Sequence, residues 1–265
     1  MPRAYTDERK IMIKGLKRFT KWIVHTQIWN SIFRQGWPDT ERNRILTTLN
    51  TLIFHLHPIK VKSHALKVNY VFCLGGVSFF LFIVETITGV LLMFYYRPTV
   101  EYAYQDMKDL EFVVTFGLFL RNMHRWAAHG MVLTVILHMC RVFYTGSYKP
   151  PREYNWCIGV ILLVLTLLLS FTGYLLPWDQ LAFWAVTVGT NMAKATPIMG
   201  AEGPFHILSE MSDICFYLRG SVDISENTLL RFYVLHCIAL PLAAVGLMGI
   251  HFWRIRKDGG ISGPL

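Results

Sequence analysis

Apolar residues gather in four long runs separated by polar connections. The runs lie at about 70–95 ("YVFCLGGVSFFLFIVETITGVLLMFY"), 118–143, 154–176 ("YNWCIGVILLVLTLLLSFTGYLL") and 229–253 ("LLRFYVLHCIALPLAAVGLMGIHFW"). Crossing about 30 Å of hydrocarbon takes roughly 20 helical residues, so each run is long enough to span a membrane. Lipid offers the backbone no hydrogen-bond partners, so the runs are predicted to be helices. The expected fold is an all-α membrane protein: four transmembrane helices in a bundle, preceded by an amphipathic surface helix.

The connections differ in character. Residues 1–67 form a basic arm in which "KRFTKWIVHTQIWNSIFRQGW" interleaves cations with aromatics, the pattern of a helix lying on the membrane surface. An RNA-binding arm fits the same composition less well, and no nucleic-acid partner is expected. The remaining residues, 68–265, make up the transmembrane domain. The long connection at 178–227 is semi-apolar and is predicted to hold short interfacial helices. Lys and Arg concentrate in the N-terminal arm, in the second connection (Arg141, Lys149, Arg152) and in the tail (Arg254, Arg256, Lys257). Cationic segments stay on the cytoplasmic side, so both termini are expected there.

Composition sharpens this picture. Of 265 residues, 53% are hydrophobic and only 16% charged, against about a quarter in soluble domains. The net charge of +9 comes from 26 basic and 17 acidic residues and fits the membrane topology. Five scattered cysteines form no C-x-x-C pattern, so neither a zinc site nor two-cysteine haem attachment is signalled. The first sixty residues lack the apolar core of a cleavable signal peptide.

The candidate chemistry lies in four histidines. His124 and His138 in the second run are fourteen residues apart, nearly four helical turns, hence on one face and about 21 Å apart along the axis. His236 and His251 in the fourth run are fifteen apart. The second and fourth helices run in the same direction, so His124 is level with His236 near the outer side, and His138 with His251 near the cytoplasmic side. Each level offers two imidazoles, the ligand set of a six-coordinate haem iron. Histidines inside a membrane also occur as packed polar groups or proton relays; four in two level pairs favour haem ligation. His129, five residues from His124, points away. Gly75 and Gly89 in the first run, and Gly159 and Gly173 in the third, repeat the fourteen-residue interval. They leave room for a flat ring, although glycine is also a common packing residue in membranes. Arg121, Arg125 and Arg231 at the outer level, and Arg141, Arg152 and Arg256 at the inner, are candidates for the haem propionates or for interfacial snorkelling.

With these residues in view, the sequence resembles the cytochrome b/b6 family. The resemblance is carried by "RNMHRW", "LHMCRVF", "YKPPREYNW", "FTGYLLPWDQ", "TLLRFYVLH" and "HFWRIRKDGGISGPL", and covers about residues 68–265. It implies the b6-type N-terminal subunit of a split cytochrome b in a quinol:cytochrome c (or plastocyanin) oxidoreductase. It further implies a Rieske iron–sulfur protein, a separate C-terminal cytochrome b subunit with the P-E-W-Y loop, a cytochrome c subunit and a dimeric complex. The implied cofactors are two haem b and one haem c held by a single thioether at Cys73, which by chemistry alone would read as a small buried hydrophobe. Quinol is then oxidised at the outer face. One electron passes to the Rieske protein and the other through both b haems and haem c to an inner quinone. Trp178, Asp179, Phe183, Trp184 and Ala185 are implied to help form the outer quinol pocket; without one they would be an aromatic interfacial belt. The N-terminal arm is longer than the plant-type pattern has, and the long "ATPIMGAEGPFHILSEMSDICFYLRG" loop resembles bacterial menaquinol-oxidising versions, implying menaquinone and a bacterial inner or intracytoplasmic membrane. Glu85 stands in the first run where the family pattern has an amide, and reads either as a neutral hydrogen-bonded acid or as a group acting near the outer haem. A di-haem anchor of a dehydrogenase or hydrogenase shares the histidines but not "PWDQ" or "ISGPL". A transporter or structural bundle would bind no haem.

Overall fold

The computed structural model describes residue 15, residues 17–32, 40–49, 63, 67 and 72–260. Short helices occupy the N-terminal arm: α1 (17–24), α2 (Gln27–Ile32) and α3 (Glu41–Leu49). The expected single surface helix is therefore broken at His25 and Thr26. The Thr26 hydroxyl donates to Ile23 O (2.7 Å) and accepts from Trp29 N–H (3.2 Å), closing α1 and opening α2. The part of the proposed surface helix beyond Ile32 lies outside the described residues, as does the "ISGPL" ending.

From residue 72 the chain is helical throughout its ordered elements: α4 (Leu74–Met93), α5 (Ala103–Phe112), α6 (Gly117–Tyr144), α7 (Glu153–Leu175), α8 (Gln180–Lys194), α9 (Ile214–Arg219) and α10 (Glu226–Lys257). Helices α4, α6, α7 and α10, of 20, 28, 23 and 32 residues, are each long and apolar enough to cross a membrane. They coincide with the four runs to within a few residues. Their outward apolar side chains, such as Phe80, Ile87, Leu133, Val164 and Leu242, are exposed, as lipid-facing positions should be. Helix α5, in the first connection, was not legible from the hydrophobic pattern, because only Ala103, Asp106 and Leu110 are buried on it.

Helix boundaries follow local chemistry. Asp179 caps α8 by accepting Ala182 N–H (2.8 Å), and Asp213 caps α9 by accepting Phe216 N–H (2.8 Å). Gly220, at φ +77°, ends α9 in the left-handed conformation that only glycine adopts without strain. Within α10, residues Leu235–Ala239 widen to a π turn, in which Leu240 N–H reaches back to Leu235 O. Pro241 supplies the reason: it has no N–H, and its ring crowds the carbonyl four residues back.

The described chain forms two compact units. The first comprises the described residues before 72, Cys140–Val160 and the described residues from Met248 onward; the second comprises Phe72–Met139 and Ile161–Leu247. In the first unit, Arg254 and Asp258 form a fully buried ion pair (3.0 Å), and the Arg254 guanidinium lies over the Tyr154 ring at 5.1 Å. Arg152 donates to Gly260 O (3.4 Å).

In the second unit, α4 packs on α6 through small and hydroxyl-bearing residues. Ser78 donates to Thr134 Oγ1 (3.0 Å), and Gly130 admits Leu81 so closely that a Cβ there would lie 3.3 Å from Leu81 Cδ1. Two apolar clusters join the connections to the spans. Tyr96, Ala103 and Leu229 form one; Leu175, Val186 and Phe232 form the other; Trp178 packs against both. Tyr96 donates its hydroxyl to Leu176 O (2.6 Å), and burial raises its pKa from the usual tyrosine value. Arg97 donates from its backbone to Asp106 (2.7 Å) and pairs with it through the side chain, a bond that raises the arginine pKa. The long connection is tied down by Arg219, which is buried and donates to Thr190 Oγ1 (2.8 Å), Asn191 Oδ1 (2.9 Å) and Val222 O (3.2 Å). Thr228 completes this region, donating to Arg219 O (2.9 Å) and accepting Ser225 N–H (3.1 Å).

Candidate functional site: a pair of facing imidazoles

The second unit brings His124 of α6 and His236 of α10 together. Their ring centroids are 6.3 Å apart, with the ring planes at 82°. A metal held between two imidazole nitrogens needs about 2 Å of bond on each side, and each nitrogen lies roughly 1 Å beyond its ring centroid, which sums to about 6 Å. The observed spacing therefore fits one iron between the rings.

The remaining nitrogens are fixed by threonines. His124 Nδ1 lies 2.8 Å from Thr88 Oγ1, and His236 Nδ1 lies 3.1 Å from Thr172 Oγ1. Thr88 gives its own proton to Val84 O (2.7 Å), and Thr172 gives its proton to Leu168 O (2.8 Å). Each hydroxyl is thereby left to accept from an Nδ1–H. That tautomer leaves the lone pair on Nε2, the nitrogen a metal would use. Glu85 Oε2 stands 3.0 Å from the same His124 Nδ1, so the one Nδ1–H is shared between the Thr88 hydroxyl and the Glu85 carboxyl.

Glycines back the imidazoles. A Cβ added to Gly89 would sit 3.2 Å from His124 Cε1, one on Gly173 would sit 2.6 Å from His236 Cε1, and one on Gly75 would sit 3.3 Å from His138 Cε1. Three of the four glycines singled out by their spacing thus lie against a histidine at its own level. Gly159 lies half-buried on α7. The threonines escaped notice in the sequence, although a signal was present: each directly precedes one of the regularly spaced glycines, as Thr88–Gly89 and Thr172–Gly173.

The other candidates fall as follows. His251 is on α10 and His129 is exposed on α6. Arg125 is exposed, while Arg121 donates to Glu111 Oε2 (3.5 Å) and Arg231 donates to Tyr217 O. Arg141 and Arg256 are half-buried in the first unit. Cys73 is an exposed free thiol in the left-handed conformation (φ 50°) immediately before α4. Of the quinol-pocket candidates, Trp178 meets Phe183 edge-on (6.4 Å) and Phe183 meets Trp184 in the same way (5.5 Å). Asp179 is occupied as the α8 cap, and Ala185 packs against the Leu175 cluster.

Four helices long and apolar enough to cross a membrane, with two imidazoles facing at iron-ligating distance beside glycines, match what a membrane haem protein requires. The family model described as "Cytochrome b/b6/petB" matches residues 59–259. The chain belongs to the cytochrome b/b6 family, whose prosthetic group is haem b. It is 46% identical over 198 residues to cytochrome b6 of Euglena gracilis, covering 75% of this chain and 86% of that protein. It is 47% identical over 198 residues, with the same coverage, to cytochrome b6 of Tupiella akineta. A solved structure described as "Hyperthermophilic respiratory Complex III" matches with a TM-score of 0.63 and 27% identity over 83% of this chain. The chain spans about half, 54%, of the length of that solved chain.

Proposed function

We propose that this protein is the b6-type subunit of a quinol:cytochrome c (or plastocyanin) oxidoreductase in a bacterial membrane. The observation that carries the reading is the His124–His236 pair at 6.3 Å, each ring held by a threonine hydroxyl behind it. His124 and His236 hold the outer haem b; His138 and His251 hold the inner one. Haem bound at these positions supplies one-electron relay between an outer quinol-oxidising side and an inner quinone-reducing side. The chain's own residues supply ligation, spacing and a dry surround. Gly75, Gly89, Gly159 and Gly173 leave the rings room, while Arg121, Arg125, Arg231, Arg141, Arg152 and Arg256 are the candidate partners of the propionates.

Cys73 is assigned the single thioether to haem c. Its exposed thiol is open to a vinyl group, which adds S–H across the double bond with no external oxidant. Trp178, Phe183 and Trp184 form one wall of a quinol site, with Asp179 fixing the turn that presents them. The partners are a Rieske protein, a separate C-terminal cytochrome b subunit and a cytochrome c, in a dimeric complex using menaquinol. Residues 1–67 lie on the cytoplasmic membrane surface, and both termini are cytoplasmic.

A pyridine haemochrome assay of the purified complex tests this. Two haem b and one haem c per chain are expected. A colourless protein from a haem-competent host overturns the reading, and haem b without covalent haem c removes the Cys73 assignment. His138→Ala should remove the inner b signal, and Cys73→Ser should abolish haem staining on denaturing gels.

A further inference from the structure

We propose that Glu85 is a positioning residue for the outer haem: its carboxylate accepts the Nδ1–H of His124 and, through that ligand, holds the haem iron at a lower reduction potential. The inference rests on the reading of His124 and His236 as an outer-haem pair. Glu85 is the one charged residue among the twenty of α4, a span otherwise made of apolar and small residues. An acid at that depth is costly unless it is partnered. Its Oε2 meets His124 Nδ1 at 3.0 Å, and the Glu85 side chain is only 16% exposed. Its second oxygen, Oε1, is buried with no hydrogen-bond partner among the described residues, an arrangement that costs stability. A group that loses stability in this way and still faces a metal ligand is placed for what it does to that ligand.

The pair is asymmetric. His236 has only neutral partners behind it, the hydroxyl of Thr172 and the backbone of Leu169, whereas His124 has the hydroxyl of Thr88 and the carboxylate of Glu85. A carboxylate behind a ligating imidazole raises the ligand's basicity and adds negative charge near the metal. Both effects favour the more positive, oxidised iron, and hydrogen bonding around the ligands is one of the levers that set haem potential.

The test is a redox titration of the b-type α-band in the purified complex, with electron paramagnetic resonance of the oxidised protein as a second readout. Glu85→Gln keeps the size and an acceptor oxygen but removes the charge. The midpoint of the outer haem should rise, with haem content unchanged and the ligand-sensitive resonance shifted. Glu85→Leu removes the acceptor as well and should raise the midpoint at least as far. Unchanged midpoints in loaded variants overturn the proposal. So does loss of the outer haem from both variants while the inner one stays, since the acid would then serve assembly and not potential. His124→Ala separates the two levels of inference: if both b signals survive in it, the ligand reading fails, whatever Glu85 does.

Discussion

Gly173 faces His236 so closely that a methyl group on the glycine would lie 2.6 Å from the imidazole Cε1, nearer than non-bonded atoms approach. By contrast, an added Cβ at Gly246, in the same unit, meets nothing within 4 Å. Alanine is the better helix former by about 1 kcal/mol, so the two substitutions should act in opposite directions. Gly246→Ala should leave the spectrum intact and modestly raise thermal stability. Gly173→Ala should displace the His236 ring and lose the outer b signal. Absorbance spectra of the two variants, recorded on heating, check both.

The two threonines should not be equivalent. Without Thr172, His236 keeps only the neutral backbone of Leu169, whereas without Thr88, His124 keeps the carboxylate of Glu85. A hydrogen bond to a charged group is worth about 1.5–3 kcal/mol, against about 1 for one to a neutral group. Thr172→Val should therefore loosen the outer haem more than Thr88→Val, by roughly tenfold in the rate of haem transfer to a soluble acceptor. Equal rates would mean that Glu85 does not stand in.

Arg219 is buried with its donors spread over Thr190, Asn191 and Val222, drawing α8, α9 and the segment after it together. Hydrogen bonds to a charged group are worth about 1.5–3 kcal/mol each. Arg219→Met should open the 195–224 connection to limited proteolysis while the spans stay protected. A digestion pattern matching the unaltered protein would show the connection to be held by other contacts.

Tyr96 adds an alkaline limit. Burial raises its folded pKa, so above the ordinary tyrosine value of about 10 the unfolded chain loses a proton that the folded chain keeps. Its contribution is present in full below that value and declines as pH rises beyond it. Thermal midpoints should fall between pH 9.5 and 11, and the fall should be shallower in Tyr96→Phe, which is itself less stable at neutral pH by about 1 kcal/mol through loss of the bond to Leu176 O.

The spans and imidazoles were legible because lipid imposes a strict code: long apolar runs must be helices, and a histidine inside one stands out. The glycine spacing was readable for the same reason, and Gly75, Gly89 and Gly173 do lie against histidines. Helix α5 was not legible, since its few buried positions make no run. The break between α1 and α2 was hidden because one threonine side chain bonds in both directions. Thr88 and Thr172 were missed because a membrane threonine ordinarily bonds its own backbone, as both of these do; the extra bond to a ring appears only in three dimensions. The capping role of Asp179 at α8 was also hidden, since it is set by the chain turning at Trp178.

The wide turn at Leu235–Ala239 gives α10 a spare residue. A π turn takes up more chain per revolution than an α turn, so fifteen residues from His236 to His251 wind through nearly the same angle as fourteen elsewhere. Deleting one residue inside that turn would leave an ordinary helix that keeps the angular phase of its two imidazoles, whereas the same deletion in α6 would swing one of them aside by about 100°. This stretch of the last span is thus the place where the polypeptide can absorb a change of length and still aim its histidines.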